Sequence, residues 1–154
     1  MSAYEFNFRP YVSENLEDVV AIFRTNIPKY FVPAEEQELR EYLTDHPEDY
    51  YLLESGGEIV AAGGIALNSD NTVSLCWGMV RNDLIGTGIG KRLTEFRLAK
   101  ARERFGPVPV KISTSQHTSG FYEKLGFQMG ELTPNGFGPG LDRCNMVLTT
   151  ERAL

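Results

Sequence analysis

The sequence predicts an α+β fold, a mixed sheet with helices on its faces. Apolar residues alternate along some short segments rich in β-formers and recur at helical spacing along others. The two kinds follow one another as strand, two helices, three strands, helix, strand, helix, two strands, an order that suits one layered sheet. A length of 154 residues with 42% hydrophobic content fits a single domain over residues 1–154 with one core.

Phe6, Phe8, Pro10 and Val12 alternate with Asn7, Arg9 and Tyr11, giving an opening strand that Pro10 places at an edge or bulge. Ser13 to Asn26 turns helical: Leu16, Val19, Val20 and Phe23 share a face, Ser13 or Asn15 offers a cap, and Pro28 ends the run. A second helix is expected over Ala34 to Thr44, with Glu35 and Glu36 at the positive end of its dipole. Tyr50 to Glu54 and Glu58 to Leu67 read as a hairpin around Ser55-Gly56-Gly57, and Thr72 to Val80 as a third strand. The next helix carries Ile89, Leu93, Phe96 and Ala99 on one face. It leads to a strand at Val108 to Ile112, and a crossover through a helix makes the strands on either side of it parallel neighbours. A short helix from His117 to Leu125 ends at Gly126, and a strand follows at Phe127 to Leu132. Thr133 to Gly140, with three glycines and two prolines, is expected to be an irregular loop before a last strand at Arg143 to Leu148.

A net charge of −6 argues against nucleic-acid binding, which calls for a basic patch, and tolerates a cationic ligand. The apolar runs are too short to span a membrane, and Met1 to Pro10 lacks the features of a secretion signal, so a soluble, cytoplasmic protein is expected. Cys76 and Cys144 stand apart from each other and from both histidines, in no metal spacing, and are read as free thiols.

The informative segment is Val80 to Lys91, between a predicted strand and a predicted helix. Helix-start amides have no internal partner and sit at the positive end of the dipole, so an anionic phosphate is favoured there. The glycines let backbone approach it closely. A nucleotide P-loop ending at Gly90-Lys91 fails because Ile85 is not glycine and Arg92 carries no hydroxyl. A dinucleotide loop starting at Gly86 or Gly88 fails at Lys91 or Leu93.

Here the chain resembles the GNAT superfamily of N-acetyltransferases, whose phosphate motif is Gln/Arg-x-x-Gly-x-Gly/Ala. Gly88 and Gly90 match, and Ile85 replaces the usual Gln or Arg. A second match is Ser115 to Phe127, where Tyr122-Glu123-Lys124-Leu125-Gly126-Phe127 fits the family's ending while Ser115 and Thr118 replace its Asn and Ala. The resemblance implies a mostly antiparallel twisted sheet, a parallel, splayed central strand pair, and helices on both faces. It also implies acetyl-CoA as cosubstrate, held by Met79, Val80, Ile85, Gly86, Thr87, Gly88, Ile89, Gly90, Lys91, Ser115 and Tyr122.

The same resemblance implies acetyl transfer to a primary amine of a small molecule, amino acid or peptide, with Tyr122 giving a proton to the leaving thiolate. A tyrosine is protonated at neutral pH and suits that role; the plainer reading makes Tyr122 a packing residue beside Phe121. Many family members place a glutamate on the strand before the loop, and Thr72 to Val80 has no carboxylate. His117 is one candidate base, because histidine as a residue type titrates near neutrality, a water chain is another, and helix capping or simple surface exposure explains the histidine at least as well. The resemblance also implies an acceptor near Pro28, Tyr30, Phe31 and Pro33 and the loop from Pro134 to Gly140; Tyr30 and Phe31 equally suit a core. A noncatalytic acetyl-CoA-binding regulatory module is the alternative, and a homodimer is left open.

Overall fold

The computed structural model describes residues 6–149. Strand β1 (Phe6–Pro10) leads through a 3-10 turn to helix α1 (Leu16–Thr25), which is followed by helix α2 (Glu35–Asp45). Three strands come next, β2 (Tyr50–Ser55), β3 (Glu58–Leu67) and β4 (Val73–Val80), and then helix α3 (Ile89–Phe105). Strand β5 (Val110–Thr114), helix α4 (Ser119–Lys124), β6 (Gln128–Gly138) and β7 (Leu141–Leu148) follow. The strands form one seven-stranded sheet in the order β1-β2-β3-β4-β5-β7-β6, antiparallel throughout except for β4 and β5.

Strand alternation sends successive side chains to opposite faces, and each face meets its own helices. Tyr50, Leu52, Ala62 and Met79 pack with Val19, Val20 and Phe23 of α1 and Leu39 and Leu43 of α2. On the other face Tyr51, Ile65, Val73 and Leu75 pack with Ala101 of α3 and Tyr122 of α4. Leu53, Val60 and Ala61 close over Ile89 and Leu93 at the start of α3. The parallel pair is short, since β4 meets β5 only at Val73 with Val110 and Ser74 with Lys111. Beyond Ser74 the two strands part, and among the described residues the rest of β4 has no strand partner on that edge.

Just past the parting point, β4 carries a bulge: Ala62 pairs with Met79 and Gly64 with Cys76, so Gly63 alone opposes Trp77 and Gly78. Trp77 sits at φ +47°, a conformation that a bulky residue adopts only when its surroundings impose it. The Tyr50 hydroxyl donates to the Trp77 carbonyl at 2.9 Å and holds it there.

Several expectations need correction. The Thr133 to Gly140 segment is not an irregular loop: β6 runs to Gly138 and pairs again with β7 at Leu141. Its glycines and Asn135 serve an interruption within the ladder, where the Asn135 amide donates to Asp142 Oδ1 at 2.9 Å and Asn135 Oδ1 accepts from the Gly140 amide at 2.7 Å. The apolar face expected on α3 is partly misplaced, because Ala99 is exposed while Arg97 and Ala101 are buried. The helix expected from His117 starts only at Ser119, after a turn. Asn15 precedes α1 without capping it, since its Oδ1 accepts from Arg9 at 3.0 Å. The expected left-handed ending at Gly126 is present, at φ +102°.

Candidate active site

The parting of β4 from β5 opens a cavity of about 480 Å³, walled by Met79 and Val80 on one side and by Ile112 to Ser115 on the other. At one end stands the glycine loop. Gly86 and Gly88 take φ values of +88° and +93°, where other residues are strained, and Gly88 caps α3. No acidic residue occupies the first turn of α3, so its positive end is unopposed. The loop is anchored from outside: Arg81 bonds Asp83 and Glu58 at 2.7 and 2.8 Å, and the Asn82 amide donates to Thr25 at 3.1 Å. Asn26, nearly fully buried, donates to the Val80 carbonyl at 3.0 Å and ties the end of β4 to α1.

The opposite wall comes from α4. Tyr122 is 8% exposed and lines the cavity, its ring edge-on to Phe121 and Phe127 at 5.0 and 5.5 Å. Ser115 is buried, and its Oγ accepts from the His117 amide at 3.2 Å while its carbonyl accepts from the Ser119 amide at 3.0 Å. It therefore shapes the turn that brings Tyr122 to the cavity. Ten of the residues singled out in the sequence line this space, namely Met79, Val80, Ile85, Gly86, Gly88, Gly90, Lys91, Ser115, His117 and Tyr122. Thr87 and Ile89 do not. The Thr87 hydroxyl turns back to the Leu84 carbonyl, and Ile89 is packed with Leu53 and Leu93.

A sequence model of the Acetyltransferase (GNAT) domain matches residues 14–150. The chain belongs to the GNAT acetyltransferase family. Its fold is found in a ribosomal-protein-alanine N-acetyltransferase from Brucella melitensis, at TM-score 0.74 and 17% identity over 93% of this chain and 99% of that one. Ard1 from Thermoplasma volcanium gives 0.77 and 19% over 92% and 95%. N-acetylglutamate synthase from Neisseria gonorrhoeae, solved with coenzyme A and N-acetyl-glutamate, gives 0.73 and 19% over 94% of this chain and 35% of that one. No curated protein matches the sequence.

In this GNAT domain the end of the cavity away from the glycine loop is aromatic. Tyr30 and Phe31 follow α1, Phe31 lies stacked on Trp77 at 5.9 Å, and Phe137 comes from the interrupted part of β6. Gly138 brings that strand close, since a methyl group there would stand 2.9 Å from Val32. His117 is exposed at the lip, with its ring edge-on to Tyr30 at 6.2 Å.

Two charged residues lining the cavity went unnoticed as site candidates in the sequence. In the sequence Glu35 reads only as a dipole partner of α2, yet it is 7% exposed and reaches back to accept from the Val32 amide at 2.9 Å. Burial raises its carboxyl above the ordinary range, with the Val32 hydrogen bond opposing that shift. Arg97 lies on the inner stripe of α3 and is 1% exposed. The available signal was the spacing Ile89, Leu93, Arg97, Ala101, four residues apart throughout. Among the described residues no cluster suited to a metal ion occurs, and no helix is long and apolar enough to cross a membrane.

Proposed function

We propose that this GNAT domain uses acetyl-CoA to acetylate a primary amine of a small molecule, amino acid or peptide. The carrying observation is a single cavity with an unopposed helix N-terminus at one end, a buried tyrosine on its wall and a buried carboxylate with aromatic rings at the other end. Phosphate oxygens suit the amides of Gly88 to Lys91, and the unpaired edge of β4 suits the amides of a pantetheine arm. Such an arm points its thioester toward Tyr122 and the bulge.

Attack of the neutral amine on the thioester carbonyl forms the C–N bond, and collapse of the tetrahedral intermediate breaks the C–S bond. Tyr122 supplies a proton to the departing sulfur. The amine's proton needs an acceptor, and Glu35 suits that step better than His117. Glu35 is buried and lines the same cavity as the rings, and its raised carboxyl makes it a better base than an exposed carboxylate. In this reading His117 is part of the lip, and Tyr30, Phe31 and Phe137 receive the carbon frame of the amine.

The test is release of free coenzyme A thiol from acetyl-CoA in the presence of pooled amines, alongside thermal melting. Acetyl-CoA at a hundred times its dissociation constant should add about 2.7 kcal/mol of stability, with NAD and ATP adding much less. Stabilisation without thiol release for any amine class would favour the regulatory module over the enzyme. No stabilisation by acetyl-CoA would remove both readings.

A further inference from the structure

Arg97 is an anomaly in the core of this domain. A guanidinium is always protonated at physiological pH, and burying it without partners is among the costlier arrangements a fold can contain. Yet the Arg97 side chain is fully buried, and its Nε and Nη1 have no hydrogen-bond partner among the described residues. The sheet is shaped to receive it. Gly63 and Gly78, which face each other across the β4 bulge, leave the room it fills. A methyl group on Gly63 would lie 3.1 Å from Arg97 Cδ, and one on Gly78 would lie 2.5 Å from Nη2.

The position matters as much as the charge. Arg97 lies eight residues, or about 12 Å, along α3 from Ile89 at its start, and it lines the cavity between the glycine loop and the aromatic end. A thioester anchored by its phosphates at that loop and laid along β4 arrives at Gly78. The guanidinium therefore stands behind the strand where the carbonyl would lie. Its charge is felt around the β4 bulge: burial pushes the Tyr50 hydroxyl and the Cys76 thiol up, and Arg97 opposes both shifts.

We propose that Arg97 supplies the positive charge that stabilises the oxyanion of the tetrahedral intermediate in this domain. Attack by the amine nitrogen moves the carbonyl π electrons onto oxygen, and collapse returns them to re-form C=O as the thiolate leaves. Arg97 remains protonated throughout. A fixed charge in a dry site needs no reorganisation as the oxyanion forms, which makes such stabilisation effective. The idea rests on the acetyl-CoA reading above.

Arg97→Met and Arg97→Lys separate charge from packing. Removing an unpaired buried charge in favour of an apolar chain of similar length should leave the fold standing. Calorimetry first establishes acetyl-CoA binding; if the parent protein does not bind it, the functional reading falls and this one with it. With binding established, the infrared carbonyl band of acetyl-CoA labelled with carbon-13 at the carbonyl should move to lower frequency on the parent protein. It should return toward its solution value in Arg97→Met and hold most of the shift in Arg97→Lys. Single-turnover transfer should fall about 10²- to 10³-fold in Arg97→Met with little change in acetyl-CoA affinity. Should Arg97→Met not fold, Gly78→Ala gives the same readout, since its methyl group displaces Nη2 and should weaken the shift. Equal carbonyl frequency and rate in parent and Arg97→Met would overturn the proposal. So would tighter binding of malonyl- or succinyl-CoA than of acetyl-CoA that disappears in Arg97→Met, which would make Arg97 the counter-ion of an acyl carboxylate.

Discussion

At Tyr122 the ring and the hydroxyl have separable duties. Phe121 and Phe127 hold the ring edge-on, so Tyr122→Phe keeps the packing and removes only the hydroxyl that carries the proton. Acetyl-CoA affinity should stay level while single-turnover transfer slows by about 10²-fold, the low end for a positioned acid because a thiolate leaves tolerably unaided. Parental single-turnover rates would reduce Tyr122 to a packing residue. Glu35 offers the opposite trade. Its folded pKa is raised, so its contribution to stability is full below the ordinary carboxylate pKa and is lost as pH rises through the raised value. Glu35→Gln should therefore be more stable than the parent at neutral pH and closer to it in acid, while losing transfer activity. Melting curves across pH, paired with rate profiles, check both halves. A variant no more stable at pH 7 than at pH 4 relative to the parent would contradict the burial argument. Neither property of Glu35 could be read from sequence, because Glu35 and Glu36 look alike there. In the fold Glu36 turns to Arg24 and Arg40, which hold its carboxyl down at about 2, and Glu35 turns inward.

Among elements, the turn from β4 into α3 was legible in advance because glycine spacing and helix polarity are both written locally. Gly88→Val tests it directly. The position takes φ +93°, and no protein atom lies within 4 Å of a methyl group there, so the substitution acts by straining the backbone and by obstructing the approach of a phosphate, with no clash inside the fold. Binding of acetyl-CoA should weaken while most of the fold survives. Calorimetry that finds parental affinity would place the phosphates elsewhere. The β6 hairpin was not legible. Pro134, Gly136 and Gly138 read as loop residues in isolation, whereas the pairing that carries the strand through them comes from β7, several residues further on. The inner stripe of α3 was missed for a related reason, since hydrophobicity ranks Ala99 above Arg97 and only the glycines of β3 and β4 reveal where Arg97 fits. Interleaved strands and helices, by contrast, imply both covered faces of the sheet from the sequence alone.

For the molecule as a whole, the short contact between β4 and β5 has a mechanical meaning. Two residue pairs join a four-stranded half, β1 to β4, to a three-stranded half, β5 to β7. A ladder of that length is a seam, and sheets open first at their seams. Amides of Leu75 to Val80 on the β5 side of the strand should exchange with deuterium well ahead of those that β4 shares with β3. A molecule lying along β4 with its phosphates on α3 and its far end against α4 would bridge the seam as a rivet bridges two plates. Acetyl-CoA should then slow exchange in β5 and β7 as well as in β4, although β7 touches none of it. Protection confined to β4 and the glycine loop would mean that the halves breathe independently, and that the ligand rides on one of them.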